Sequence, residues 1–308
     1  MVNLSIPLID SGKQNLSLIN PILVASGTFS NGLEMSKHKD IEKLGGIISK
    51  GTTIKPREGN NTPRLIETPS GLINSIGFQN IGAKKFIKEI VPIWQKWKVA
   101  TIVNIMGYTI EEYGILAELF DDINAIDALE INISCPNVEA GGIEFGQDPQ
   151  LAKEVMKIIR KKTEKPCIVK LSPIVSNIQE IVSVLQDNGA DAVTISNTYP
   201  AMAIDINKRQ PVLGAKFGGL SGPAVKSMTI RNIYLSYKIA KIPIIASGGI
   251  MNTEDVIEAM MAGAAAVQIG TATYIDPNAP WQIIKKLEHY CKDNNINDIS
   301  SIVGTAVS

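Results

Sequence analysis

"PIIASGGIMNTEDVIEAMMAGAAAVQIGT", residues 243–271, decides how this chain folds. "PIIAS" (243–247) and "AVQIG" (266–270) are short β-branched runs of the kind that fill buried strands. Between them "NTEDVIEAMMAG" (252–263) has the apolar spacing of a helix. Asn252 or Thr253 can cap its start, and Gly263 can end it. The two runs lie only about 20 residues apart, so strand, helix and strand form one tight unit.

The same pattern recurs upstream. Six further runs read as strands: "ILVAS" (22–26), "GIISK" (46–50), "ATIVN" (100–104), "ALEIN" (128–132), "CIVKL" (167–171) and "AVTIS" (192–196). Helical stretches such as "DPQLAKEVMKIIRKKT" (148–163) and "NIQEIVSVLQDNG" (177–189) separate them. Eight alternations without a break in composition predict one α/β domain over residues 1–308, a single (β/α)8 TIM barrel. The opening "LSIPLID…NLSLIN" reads as an N-terminal hairpin closing the bottom of the barrel. A doubly wound sheet with a second domain is the competing architecture. It would favour a Gly-x-Gly-x-x-Gly turn after the first strand, and "ASGTFSNG" is not one.

Bulk properties narrow the function. Thirty basic and thirty acidic residues cancel, so no global field draws the chain to nucleic acid or to a membrane surface. No run of about 18 apolar residues offers a membrane span, and the N-terminus lacks the regions of a signal peptide. The three cysteines have no metal-ligand spacing, and their odd number suits reduced thiols, so no metal and a cytoplasmic location are expected.

Long segments follow the second, fourth and sixth strands, at the end where barrel enzymes build their sites. The polar strand ends are unusual: Lys50, Asn104, Asn132, Lys170, Ser196-Asn197, Ser247-Gly248-Gly249 and Gly270-Thr271. Two inward lysines are costly in a barrel without anionic partners. The bland alternative is that they point to solvent or pair with a nearby carboxylate. The paired glycines after strands seven and eight lack bulk where a phosphate would approach backbone N–H groups. A phosphate-bearing cofactor beside asparagines and lysines suits a flavin. Cys135 follows the fourth strand in "EINISCPNVEAGG" (130–142), on a loop bounded by Pro136 and Gly141-Gly142. A thiol near pKa 8.5 can act as a general base there, with Ser134 as its rival. Cys167, inside a strand, reads as a small buried thiol. His38 and His289 fall in the first and last helical regions, away from the strand ends.

With these residues placed, the chain resembles the class 1 dihydroorotate dehydrogenases essentially from end to end. "NPILVASGTF", "SKGTT", "NSIGFQN", "INISCPNV", "VKLSP", "GGLSGPA" and "IPIIASGGI" match that family in order. "SCPNVEAGGIEFGQD" is similar to the catalytic subunits of type 1B. The resemblance implies oxidation of (S)-dihydroorotate to orotate in pyrimidine biosynthesis, on one flavin mononucleotide (FMN). It implies Cys135 as the base. Lys50, Asn74, Ser75, Ile76, Gly77, Phe78, Asn132, Asn197 and Thr198 would hold the substrate. Ser26, Lys50, Gly51, Asn104, Asn132 and Lys170 would hold the flavin, together with Ser196, Gly222, Gly248, Gly249, Gly270 and Thr271. Electrons would reach NAD through a partner subunit that carries FAD and an iron–sulfur cluster, with two catalytic chains paired in a heterotetramer. One departure stands out: past Thr198 the family usually runs toward a Gly, whereas this chain has "YPAM" (199–202). Pro200 stiffens the segment and Ala201 disfavours positive φ.

Two rivals differ in substrate or class. A dihydropyrimidine dehydrogenase-like flavin barrel would reduce neutral uracil, which gives Lys50 no carboxylate to meet. A non-catalytic flavin electron carrier would have no use for the Cys135 loop.

Overall fold

The computed structural model describes residues 2–10, 14–134 and 144–308. Eight parallel strands close into a barrel: β1 (Ile22–Val24), β2 (Gly46–Ile48), β3 (Ala100–Ile105), β4 (Ala128–Asn132), β5 (Cys167–Lys170), β6 (Ala192–Ile195), β7 (Ile244–Ser247) and β8 (Ala266–Ile269). They neighbour one another in chain order, and β8 pairs with β1 to complete the circle. The ladder ends one or two residues before several of the sequence runs do. Ala25, Ser26, Ser49, Lys50 and Ser196 have left it. Of these, Ala25, Ser26, Lys50 and Ser196 line a cavity at the barrel mouth.

Helices follow the strands: α1 (Leu33–Ser36), α2 (Ala83–Glu89), α3 (Ile110–Asp121), α4 (Pro149–Arg160), α5 (Ile178–Asp187), α6 (Lys226–Tyr237), α7 (Thr253–Met261) and α8 (Ala279–Asp293). Their ends have local causes. Asp148 and Asn177 accept backbone N–H bonds at the starts of α4 and α5, and Asn252 does so for α7. Asn252 is thus the cap, and Thr253 is the first helical residue. Gly263 follows the C-cap at φ +121°, where a Cβ would meet the Tyr237 ring.

The N-terminal hairpin pairs Ile6–Asp10 with Asn15–Leu18 and buries Leu8, Leu16 and Leu18 in the main core. It leads directly into β1 and touches β3, at the end opposite the cavity.

The two long segments after β2 and β6 are joined to each other. Leu65–Thr68, Gly71–Asn74, Gly218–Ser221 and Tyr199–Ala201 form one antiparallel sheet over the mouth, in the order 199–201, 218–221, 71–74, 65–68. Asn74 lies opposite Gly219, and Pro200 lies opposite Gly219 on the other side. The "YPAM" departure is therefore an edge strand, the position in a sheet that tolerates proline, and no residue from 199 to 202 has positive φ. Glycine is needed at 219 because a Cβ there would lie 1.8 Å from Thr198 Oγ1. The tip carries a small hairpin, Ile204–Asp205 with Gln210–Pro211.

Candidate active site

A cavity of about 670 Å³ opens at the C-terminal ends of the barrel strands, walled by the four-stranded sheet. Both elements contribute lining. Ser26, Lys50, Gly51, Asn104, Asn132, Lys170, Ser196, Gly248, Gly249, Gly270 and Thr271 come from strand ends. Asn74, Ser75, Ile76, Gly77, Phe78, Asn197 and Thr198 come from the segments that build the sheet. Residues spread from 26 to 271 in the chain thus meet in one space.

Its floor is a buried polar network. Glu130 of β4 is fully buried and accepts hydrogen bonds from Asn104 Nδ2 (2.6 Å), Gln268 Nε2 (2.5 Å) and Thr194 Oγ1 (3.1 Å). Lys170 Nζ donates to Gln268 Oε1 at 3.0 Å and lies 3.9 Å from Glu130 Oε2. The anionic partner that a buried lysine requires is therefore present, on the neighbouring strand. Among the described residues Asn104 Oδ1 is buried without a hydrogen-bond partner, and a Cβ on Gly51 would stand 3.1 Å from it. Glycine at 51 avoids crowding that acceptor.

After β7 and β8 the backbone forms a cradle. Gly249 has φ +77°, and a Cβ there would lie 2.5 Å from backbone atoms of Lys226. Among the described residues, the N–H groups of Gly249, Ile250 and Thr271 have no protein acceptor. Gly270 leaves open space, with nothing nearer than 3.5 Å to a Cβ placed there. Free N–H groups that line one cavity, with side chains missing beside them, make an anion site. Lys226 is turned away, paired with Asp255 at 2.8 Å and Glu258 at 2.9 Å. The positive character toward the cavity thus comes from the backbone.

The cavity also presents a cation and amides. Lys50 is half-buried, and no carboxylate among the described residues pairs with it. Burial, and then the Arg64 guanidinium nearby, hold its pKa below the ordinary lysine value. Arg64 spends its donors on Asn60 and Glu58 carbonyls and on Gln79 Oε1, fixing the 58–79 segment. Gly77 packs against Asn60, where a Cβ would lie 2.4 Å from Oδ1. Asn132 Oδ1 accepts from Asn197 Nδ2 at 3.3 Å, which joins the ends of β4 and β6. Tyr113, buried on α3, donates to the Asn132 carbonyl at 2.6 Å and holds that strand end in place.

Three sequence expectations need comment. Cys135 lies outside the described residues. Gly222 is not among the lining; it packs behind it, where a Cβ would lie 2.9 Å from Gly71 Cα. Its φ of +96° and the fit against Gly71 account for glycine there. Cys167 is buried in β5, and burial pushes its thiol up to about 12, in keeping with a packing role. Sequence reasoning missed Glu130, Gln268 and Thr194, and also Glu144, which lines the cavity and accepts a hydrogen bond from Ser172 Oγ. No group of three or more His, Cys, Asp or Glu among the described residues stands where it could hold a metal. No helix among the described residues is long and apolar enough to cross a membrane.

The family model for dihydroorotate dehydrogenase matches residues 10–291. The chain is 51% identical over 291 residues to a protein of Desulforamulus reducens named dihydroorotate dehydrogenase B (NAD(+)), catalytic subunit, covering 94% of this chain and 96% of that one. A protein of the same name from Geotalea uraniireducens is 47% identical over 304 residues, covering 96% and 100%. Among solved structures, DHODH of Eimeria tenella in complex with ferulenol superposes with a TM-score of 0.80 at 22% identity, covering 98% of this chain and 88% of that one, a likeness of fold. On the extent and identity of these matches, the chain belongs to the dihydroorotate dehydrogenase family.

Proposed function

We propose that this chain oxidises dihydroorotate to orotate on a bound FMN, as the catalytic subunit of an NAD-linked enzyme. The carrying observation is that one cavity unites a backbone anion cradle, an orphaned buried acceptor at Asn104 Oδ1 and two lysines. These features fit a phosphorylated flavin at one end and a small carboxylate at the other. Gly248, Gly249, Gly270 and Thr271 would hold the phosphate. Asn104, Lys170 and Ser196, with Ser26 and Gly51, would hold the ring. When bound, FMN supplies a hydride acceptor.

The chain's own residues do the rest. Lys50 pairs with the substrate carboxylate, and Asn74 to Phe78, Asn132, Asn197 and Thr198 fix the ring of dihydroorotate. Cys135 takes the proton from C5, the electron pair of that C5–H bond becomes the second bond of C5=C6, and hydride leaves C6 with its own pair. The four-stranded sheet keeps water from the reacting face. Reoxidation by NAD runs through a second polypeptide with FAD and an iron–sulfur cluster, and two catalytic chains pair as a homodimer within a heterotetramer. The names of the relatives support a partner subunit and NAD as acceptor, since they are catalytic subunits of NAD(+) enzymes. The setting is the cytoplasm.

Purified chain should carry one FMN and no iron, and dihydroorotate should bleach the flavin under anaerobic conditions while dihydrouracil does not. Bleaching by dihydrouracil alone would favour the dihydropyrimidine rival, and no bleaching by either would favour an electron carrier. NAD should be reduced only when the partner subunit is added; efficient reduction by the isolated chain would contradict the two-protein assignment. At the cradle, Gly249→Val forces a Cβ into the Lys226 backbone at positive φ, so the segment must shift and carry the cradle's N–H groups out of place. Losing one charge-assisted bond is worth about 1.5–3 kcal/mol, so FMN should bind at least about tenfold more weakly by fluorescence titration. Unchanged affinity would remove the phosphate from this end.

A further inference from the structure

Glu130 is the one carboxylate in the floor network among the described residues, and all three of its hydrogen-bond partners there donate to it. A carboxylate offers only acceptors. Asn104 must therefore give Nδ2 to Glu130, which leaves Oδ1, on a residue that lines the cavity, without a partner among the described residues. Gln268 must likewise give Nε2 to Glu130, which leaves Oε1 to accept from Lys170 Nζ. One acidic side chain thereby fixes the orientation of two amides and one ammonium on β3, β8 and β5.

We propose that Glu130 is a positioning residue that sets both the polarity and the charge of the cavity floor, and through them the ease with which a bound flavin is reduced. This rests on the FMN reading above. The network presents an acceptor at Asn104 and a cation at Lys170, and its formal charge is zero because Glu130 and Lys170 cancel. Removing the acid changes both properties in one direction. The floor gains a net positive charge, and Asn104 is freed to turn its donor toward the ring. Each change favours negative charge on whatever lies above.

The sign supplies the test. FMN midpoint potentials are measured by dye equilibration in the wild type, Glu130→Gln, Lys170→Met and the double variant. Glu130→Gln should raise the potential by at least tenfold in the reduction equilibrium, about 30 mV for a two-electron couple. Lys170→Met should lower it, and the double variant should lie above Lys170→Met. Glu130→Asp, which keeps the charge, should stay near wild type. A merely structural role for Glu130 would not shift the two single variants in opposite directions. Should Glu130→Gln fail to fold, Lys170→Met and the double variant still decide, since adding Glu130→Gln must raise the potential. An unchanged or lowered potential on removing Glu130, in either background, overturns the proposal. A wild-type chain that binds no FMN would instead overturn the reading on which it rests.

Discussion

Cys135→Ala is expected to retain FMN and to bind orotate, yet to lose most of the anaerobic reduction of flavin by dihydroorotate. Removal of a general base typically costs about 10²–10⁴-fold. Cys135→Ser should also be slow near neutral pH and recover as pH rises, because a hydroxyl gives up its proton far less readily than a thiol. Ser134 is the control. Its Oγ is buried without a hydrogen-bond partner among the described residues, it lines the cavity, and it is adjacent in sequence. Stopped-flow reduction rates separate the two: if Ser134→Ala abolishes reduction while Cys135→Ala reduces at the wild-type rate, the base has been assigned to the wrong residue.

Lys50→Ala is expected to weaken orotate binding and slow turnover by about 10- to 150-fold, the equivalent of a charge-assisted contact of about 1.5–3 kcal/mol. The pH dependence has a definite sign. Burial and Arg64 both lower the pKa of Lys50, so in the free enzyme its ammonium deprotonates at lower pH than an ordinary lysine. Affinity for the carboxylate should therefore be full at neutral pH and fall as pH rises through that lowered value. Arg64→Gln removes one of the two causes and should move the fall to higher pH. An alkaline limb of orotate binding that is the same in wild type and Lys50→Ala would exclude Lys50 as the carboxylate partner.

Much of this architecture was legible because barrel strands buried on both faces read as β-branched runs, and those of β1 to β8 do. Their polar last residues stood out against that background, which is why Lys50, Asn104, Asn132 and Lys170 could be named from sequence and are found lining one cavity. Glu130 was not legible. It sits inside "ALEIN", where an acid between two apolar residues has the pattern of a half-exposed strand. The clue was that a barrel strand has no solvent face, so an acid within one must point into the interior network. The joining of the segments after β2 and β6 was also hidden. Gly71–Asn74 and Gly218–Ser221 pair across about 145 residues of chain, and neither run has the length or apolar content that marks a strand by itself.

That joined sheet constrains how the protein can change. A strand alternates its faces every residue, so an insertion within 71–74 would turn Asn74 out of the cavity, and one within 218–221 would break its pairing with Gly219. An insertion at the tip, between Asp205 and Gln210, leaves the register intact. Lineages of this enzyme are thus free to lengthen or trim the tip, while the two halves of the roof must be inherited or transplanted as a pair.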